Sequence, residues 1–145
     1  MHLSNTLRSA DISATGLAAE RHRMEITTAN IANAHVTRTA DGGPYRRQEV
    51  IFASQEVDGR DSPTRVAGGV QVLGIAADQT ELPRIYQPGH PDADTDGYVT
   101  YPNVQLPREM VDLLTASRAY EANLKSLQTF QRMAEQALNL LRGGR

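Results

Sequence analysis

The sequence contains no cysteine, no tryptophan, one lysine (Lys125) and two phenylalanines among its 145 residues. Without cysteine there is no disulfide framework, no thiol nucleophile and no cysteine-based zinc site, in whatever compartment the chain resides. Aromatic residues make up 5% of the chain against 39% hydrophobic residues overall. Aromatics usually supply much of the area buried in a core, so part of the apolar surface is expected to be buried against other chains. An excess of one charge is also missing, since 15 Lys+Arg stand against 17 Asp+Glu for a net charge of −2. That balance gives no field suited to nucleic acid or a membrane surface. Long apolar runs are absent too. The best stretch, Val66 to Ala77, is interrupted by glycines and falls short of the roughly 18–20 residues needed to span a bilayer. Arg8 and Asp11 break up the first residues, which predicts no cleavable secretory signal.

Three segments are present instead. The first, 1–36, carries a helix over 3–36. Steps of four and three from Leu3 reach Leu7, Ala10, Ala14, Leu17, Arg21, Met24, Thr28 and Ile31, and seven of these nine positions are apolar, as in a heptad seam. Ser4 or Asn5 suits the start of this helix, and Asn33 suits a left-handed residue at its end. Asp41-Gly42-Gly43-Pro44 then reads as a turn. The middle segment, 37–106, loses the helical period and gains Gly and Pro. Strands are predicted at 45–52, 70–77, 82–86 and 98–101, with the polar stretch Val57 to Arg65 as a mobile connection. The third segment, 107–145, holds a helix over 107–142. Pro107 suits its first position and Glu109 the positive end of its dipole. Its seam runs through Met110, Leu113, Ser117, Tyr120, Leu124, Leu127, Gln131, Ala134, Leu138 and Leu141, eight of the ten being apolar or aromatic. Glu121 and Lys125 form a favourable i, i+4 pair outside it. The expected class is α+β. Long N- and C-terminal helices pair as a coiled-coil-like bundle around a small middle β domain. Both helices outreach what that β domain can cover, so the seams are expected to bundle with other chains.

The sharpest chemical motif is Asp92-Ala93-Asp94-Thr95-Asp96-Gly97-Tyr98-Val99, which matches the start of a calcium loop. Three alternate carboxylates can converge on one hard cation there. Position 12 of such a loop falls on Asn103, which cannot supply a bidentate carboxylate, and Pro88-Gly89-His90-Pro91 cannot form the incoming helix. A solvated turn in which the Asp side chains accept backbone N–H bonds is the favoured reading. The four histidines are scattered without metal-ligand spacing, and no nucleophile elbow or phosphate-binding glycine loop occurs. No metal, cofactor or catalytic residue is therefore assigned. Fourteen of the fifteen cations are Arg, which suits bidentate contacts at interfaces. Arg46, Arg47 and Arg118 are candidates for salt bridges between subunits.

Several motifs together resemble a known family. Ala14-Thr15-Gly16-Leu17-Ala18-Ala19 with Ala29-Asn30-Ile31-Ala32-Asn33 is similar to the signature of the rod and hook axial proteins of the bacterial flagellum. Gly42-Gly43-Pro44-Tyr45-Arg46-Arg47-Gln48, the His90-Pro91-Asp92 segment through Tyr101-Pro102-Asn103-Val104, and Ala116-Ser117-Arg118-Ala119-Tyr120-Glu121-Ala122-Asn123 extend the likeness to the proximal rod members. The resemblance covers nearly the whole chain apart from about Val57 to Arg65. It implies a non-enzymatic building block that crosses the inner membrane unfolded through the flagellar type III export apparatus. It further implies polymerisation in the periplasm, with terminal helices as inner layers of a helical tube and the β part outward. The expected partners are copies of itself, other rod proteins and the export apparatus, with no nucleic acid and no small-molecule substrate. Assembly is expected to run through Leu7, Leu17, Met24, Asn30, Ile31, Asn33, Met110, Leu113, Tyr120, Asn123, Leu124, Leu127 and Leu138. A calcium-binding module using Asp92, Asp94 and Asp96, and a helical export adaptor, are the alternatives.

Overall fold

In the computed structural model, residues 2–58 and 65–143 are described, with side chains for 8–55 and 68–140. Helix α1 spans His2–Ala32, strand β1 Gln48–Asp58, β2 Arg65–Ala77, β3 Arg84–Tyr86 and β4 Tyr98–Thr100, and helix α2 spans Leu106–Gly143. At 1.5 Å per residue the two helices are about 46 and 57 Å long. The class is α+β with terminal helices, as expected. β1 pairs with β2, and β3 with β4 in antiparallel register through Ile85 and Val99.

Element ends depart from the sequence reading for local reasons. α1 already includes Ser4 and Asn5, so neither residue stands before it as a cap. It stops at Ala32 rather than 36, where the Asn33 amide Nδ2 donates to the Ala29 carbonyl at 2.8 Å and Val36 N–H bonds Asn33 O. No described non-glycine residue has a positive φ, so Asn33 caps through its side chain and not through a left-handed backbone. β1 starts at Gln48 rather than 45, because Tyr45 N–H turns back to Val36 O. It then runs on to Asp58, and β2 begins at Arg65 rather than 70. Each ribbon strand supplies the other's backbone partners, so pairing carries both past the stretch where side chains alternate. The expected connection thus loses its ends to the strands, and 59–64 lies outside the described residues.

The chain divides into two units, 1–21 with 52–73 and 116–145, and 22–51 with 74–115. A piece of α1 meets a piece of α2 in each. In the first unit Gly16 faces Asn123 so closely that a Cβ at Gly16 would lie 2.9 Å from Asn123 Nδ2. The ribbon is stitched to α1 in the same unit. Thr15 Oγ1 accepts from Val70 N–H at 3.2 Å and donates to Ile12 O at 2.8 Å. Gly69 makes room for that hydroxyl at φ +130°, with the space of its missing Cβ only 2.3 Å from Thr15 Oγ1. In the second unit Asn30 meets Glu109. The buried hydrophobic residues among those described are Ala19, Ala34, Val99 and Ala116.

Replacing Gly69 by alanine is expected to cost both a disfavoured backbone conformation and a steric clash, about 2–4 kcal/mol together. Gly42 has φ +84° with nothing within 4 Å of its missing Cβ, so Gly42→Ala should cost only about 1 kcal/mol. Urea unfolding of both variants checks the ordering, and equal losses would show that Thr15 does not hold the ribbon.

Candidate functional site

The densest polar constellation lies in the second unit, around a carboxylate with no exposed surface. Glu109 sits one turn into α2 at 0% exposure, and Asn30 on α1 is 1% exposed. An unpaired carboxylate in that position would cost several kcal/mol. Arg47, just before β1, answers it with Nε to Glu109 Oε1 at 2.5 Å. The same guanidinium also touches Glu49, Asp78 at 3.6 Å and Asp112 at 3.6 Å. Asn30 uses its full hydrogen-bonding capacity. Its Nδ2 donates to Glu109 Oε2 at 3.0 Å and Gln48 O at 2.9 Å, while its Oδ1 accepts from Tyr45 OH and Gln48 N–H, both at 2.9 Å. Asn103 extends the network by accepting from Arg47 N–H at 2.8 Å and donating to Thr80 Oγ1 at 2.8 Å.

Electrostatics follow this geometry. Burial works against the Arg47 charge, but the bonds to Glu109 and Glu49 outweigh it and raise its pKa. Burial and the nearby Glu109 charge push the Tyr45 hydroxyl above its ordinary range. Asp78 is held below the usual carboxylate range, chiefly by the Thr80 N–H and hydroxyl, with Arg47 and Arg108 helping.

Four expected interface residues make contacts inside the chain. Asn30 is buried in the hub and Asn33 closes α1. The Arg47 side chain is 8% exposed and engaged by four carboxylates of its own chain. Asn123 packs against Gly16. Arg46 is exposed and reaches the Asp78 and Thr80 carbonyls at 3.3 and 3.4 Å. Arg118 is exposed.

The apolar seam positions lie elsewhere. On α1 the buried row runs through Ala19, Thr27 and Asn30, beside the expected seam, and leaves Leu17, Met24 and Ile31 half-buried. Leu113, Tyr120 and Leu127 are half-buried on α2, while Met110, Leu124 and Leu138 are exposed. The Leu7 side chain lies outside the described residues. The sequence reading missed the outward-facing Val111 and Leu114, and the ribbon residues Ile51, Leu73 and Ile75, all exposed. Val111 and Leu114 beside Met110 were a readable signal, since they make this turn apolar beyond the seam.

The acidic loop spends its carboxylates on the protein. Asp94 Oδ1 accepts from Asp96 and Tyr98 N–H at 3.0 and 2.8 Å, and Oδ2 takes the Arg84 guanidinium. The Tyr98 N–H, with Arg84 and the Asp96 N–H, holds Asp94 below the usual carboxylate range. Asp92 accepts from Thr37 Oγ1 at 2.8 Å and faces Arg38 at 3.4 Å. Gly97 closes the turn at φ +81°. Among the described residues no group of three or more His, Asp or Glu is placed to hold a metal ion. No described helix is long and apolar enough to cross a membrane.

Terminal helices around a small strand region define a class that the comparisons make explicit. Residues 11–38 match the family model for the flagella basal body rod protein, and 95–140 match that for the C-terminal part of the flagellar basal body rod FlgEFG proteins. Across its length the chain is 42% identical to the flagellar basal-body rod protein FlgC of Borreliella burgdorferi, covering 93% of this chain and 97% of that protein. It is 39% identical to FlgC of Salmonella typhimurium, over 90% of this chain and 93% of that one, and 36% identical to FlgC of Bacillus subtilis, over 91% and 95%. The chain belongs to the FlgC family of flagellar basal-body rod proteins and is a structural subunit of that rod.

Two measurements test the hub. Arg47→Met strands Glu109 and is expected to cost about 3–5 kcal/mol, whereas Arg47→Met with Glu109→Leu should cost clearly less. Chemical denaturation of the two variants decides, and additive losses would mean that the pair is not coupled. The second concerns pH. Asp78 has a lowered pKa, so its contribution is present above the unfolded value of about 4 and fades as pH falls through the lower folded value. Tyr45 has a raised pKa, so its contribution is present below about pH 10 and fades as pH rises through the higher folded value. Melting temperature against pH should therefore fall at both ends. Tyr45→Phe should weaken the alkaline limb and leave the acid limb in place; an unchanged alkaline limb would contradict the assignment.

Proposed function

We propose that this rod subunit polymerises through its terminal helices into a helical tube that transmits torque, with the helices as inner layers and the β part outward. The observation that carries this reading is the apolar surface that the single chain leaves uncovered on α2. Glu109, Asn30 and Arg47 close the helix contact of the second unit with polar bonds. Met110, Leu124 and Leu138 stay exposed on α2, and in water such faces favour burial against a neighbour. Copies of the same chain and other rod proteins are the natural neighbours. Subunits of this kind cross as unfolded chains through the flagellar type III export apparatus and assemble in the periplasm. Neither nucleic acid nor a small-molecule substrate has a part in this account.

The calcium reading is disfavoured, because the Asp92 and Asp94 oxygens already accept bonds from Thr37, Arg84 and the loop's own N–H groups. A soluble export adaptor would use the same apolar rows for one partner, and would form a small defined complex in place of a rod.

Leu124→Asp and Gln128→Ala separate these outcomes. Losing a buried Leu costs about 2–5 kcal/mol and an unpaired buried carboxylate several more, at every subunit of a polymer. Rods should be missing from purified basal bodies of Leu124→Asp cells and swimming should stop. The exposed Gln128→Ala should shift stability by about 0.5 kcal/mol or less and leave swimming unchanged. Normal rods in Leu124→Asp cells would show that this row is not an assembly interface.

A further inference from the structure

The loop between β3 and β4 docks on the segment that leaves α1, and the docking runs through Asp92. The Thr37 hydroxyl donates to Asp92 Oδ2 at 2.8 Å, and Arg38 lies 3.4 Å from Oδ1. A histidine fixes the Asp92 backbone, whose N–H donates to His90 Nδ1 at 3.1 Å. Pro91 between them restricts the chain to a narrow range of φ. His90 N–H bonds Gln87 O and Ala93 N–H bonds His90 O, both at 3.1 Å, so the backbone winds closely around this contact. The His90 ring is half-buried and lies 6.5 Å from the Tyr101 ring, whose hydroxyl donates to Gln87 Oε1 at 2.8 Å.

A ring nitrogen that accepts an N–H must offer a lone pair, so this contact requires the neutral imidazole with its proton on Nε2. Protonation replaces the lone pair with a second donor facing Asp92 N–H, and the ring has to turn away. The charged and titratable groups at this corner are Asp92 in the loop, Arg38 from the segment after α1 and Tyr101 after β4. Thr37 and Arg38 already hold the Asp92 carboxylate, which offsets its pull on an imidazolium. We propose that His90 is an acid-sensitive latch. Neutral, it holds Asp92 where Thr37 and Arg38 can bind it; protonated, it releases 87–93 from the segment after α1. The other half of the loop does not depend on the latch, since Asp94 takes the Asp96 and Tyr98 N–H groups and the Arg84 guanidinium. All these residues belong to the second unit, and the latch stands whether or not the rod reading holds.

Histidine is the side chain that ordinarily changes charge between about pH 8 and pH 5, while carboxylates ordinarily titrate near about pH 4, so that window isolates the imidazole. Nuclear magnetic resonance of the full-length chain follows the His90 ring protons and the Thr37, Asp92, Asp96 and Tyr98 amides across it. The Asp92 and Thr37 amide signals should shift with the same midpoint as the His90 ring. Protection of the Asp92 amide against hydrogen exchange should fall about fivefold towards acid, the weight of one hydrogen bond, while Asp96 and Tyr98 keep theirs. His90→Asn places an amide oxygen near the position of Nδ1 and does not titrate, so it should retain the contact and lose the pH response. An Asp92 amide that ignores the His90 titration would overturn the latch. A pH response that survives in His90→Asn would overturn it too, as would an equal loss of protection at Asp96 and Tyr98, which would mean that the loop melts as a whole.

Discussion

A carboxylate buried without any exposed surface, held by one guanidinium and one amide, is the contact on which the second unit depends. Glu109 is answered by Arg47 and Asn30, and these three residues join α2, the entrance to β1 and α1. Small residues dominate the buried hydrophobics around the helices: Ala19, Ala34 and Ala116, with Val99 in the short sheet. Alanines bury little area each, so close approach and satisfied polar bonds have to specify the arrangement. A buried ion pair is not in itself a source of stability, because desolvation offsets much of the attraction. Its effect is to penalise alternatives, since any slip of α1 along α2 would strand Glu109, Arg47 or one of the four Asn30 bonds.

The same economy explains the surface. The chain uses small side chains and polar groups inward and turns Leu, Ile and Met outward, on α2 and on the β1–β2 ribbon alike. A lone two-stranded ribbon with uncovered apolar residues is marginal in water. A protein built to be completed by neighbours carries such surfaces as interfaces. Membership of the FlgC family fits this inversion, because a basal-body rod subunit is one component of a larger structure.

Helical period was legible along both ends of the sequence because it is local: 3.6 residues per turn marks a stripe whatever covers it. What covers the stripe is not local. Leu17 and Met24 fitted the seam, yet the residues of α1 that the chain buries fully are the adjoining Ala19, Thr27 and Asn30. Asn30 and Arg47 were expected at an interface, Asn30 within the Ala29–Asn33 signature and Arg47 within a basic pair at a strand edge. Their burial depends on Glu109, 79 positions away from Asn30, and Glu109 by itself reads as a dipole partner at the start of a helix. The acidic loop was read as a turn closed by its own N–H groups, and the Asp94 bonds to Asp96 and Tyr98 have that form. The lengths of β1 and β2 were underestimated because the ribbon extends through backbone pairing, which side-chain alternation does not record, whereas β3 and β4 are shorter than the expected 82–86 and 98–101.

The most direct measurement is an image of the assembled basal body by electron cryo-microscopy at side-chain resolution. The expected density joins Arg47 to Glu109 within each subunit, with Met110, Leu114 and Leu124 covered by neighbouring chains. Arg47 paired with another subunit, or these apolar side chains facing solvent in the finished rod, would contradict it.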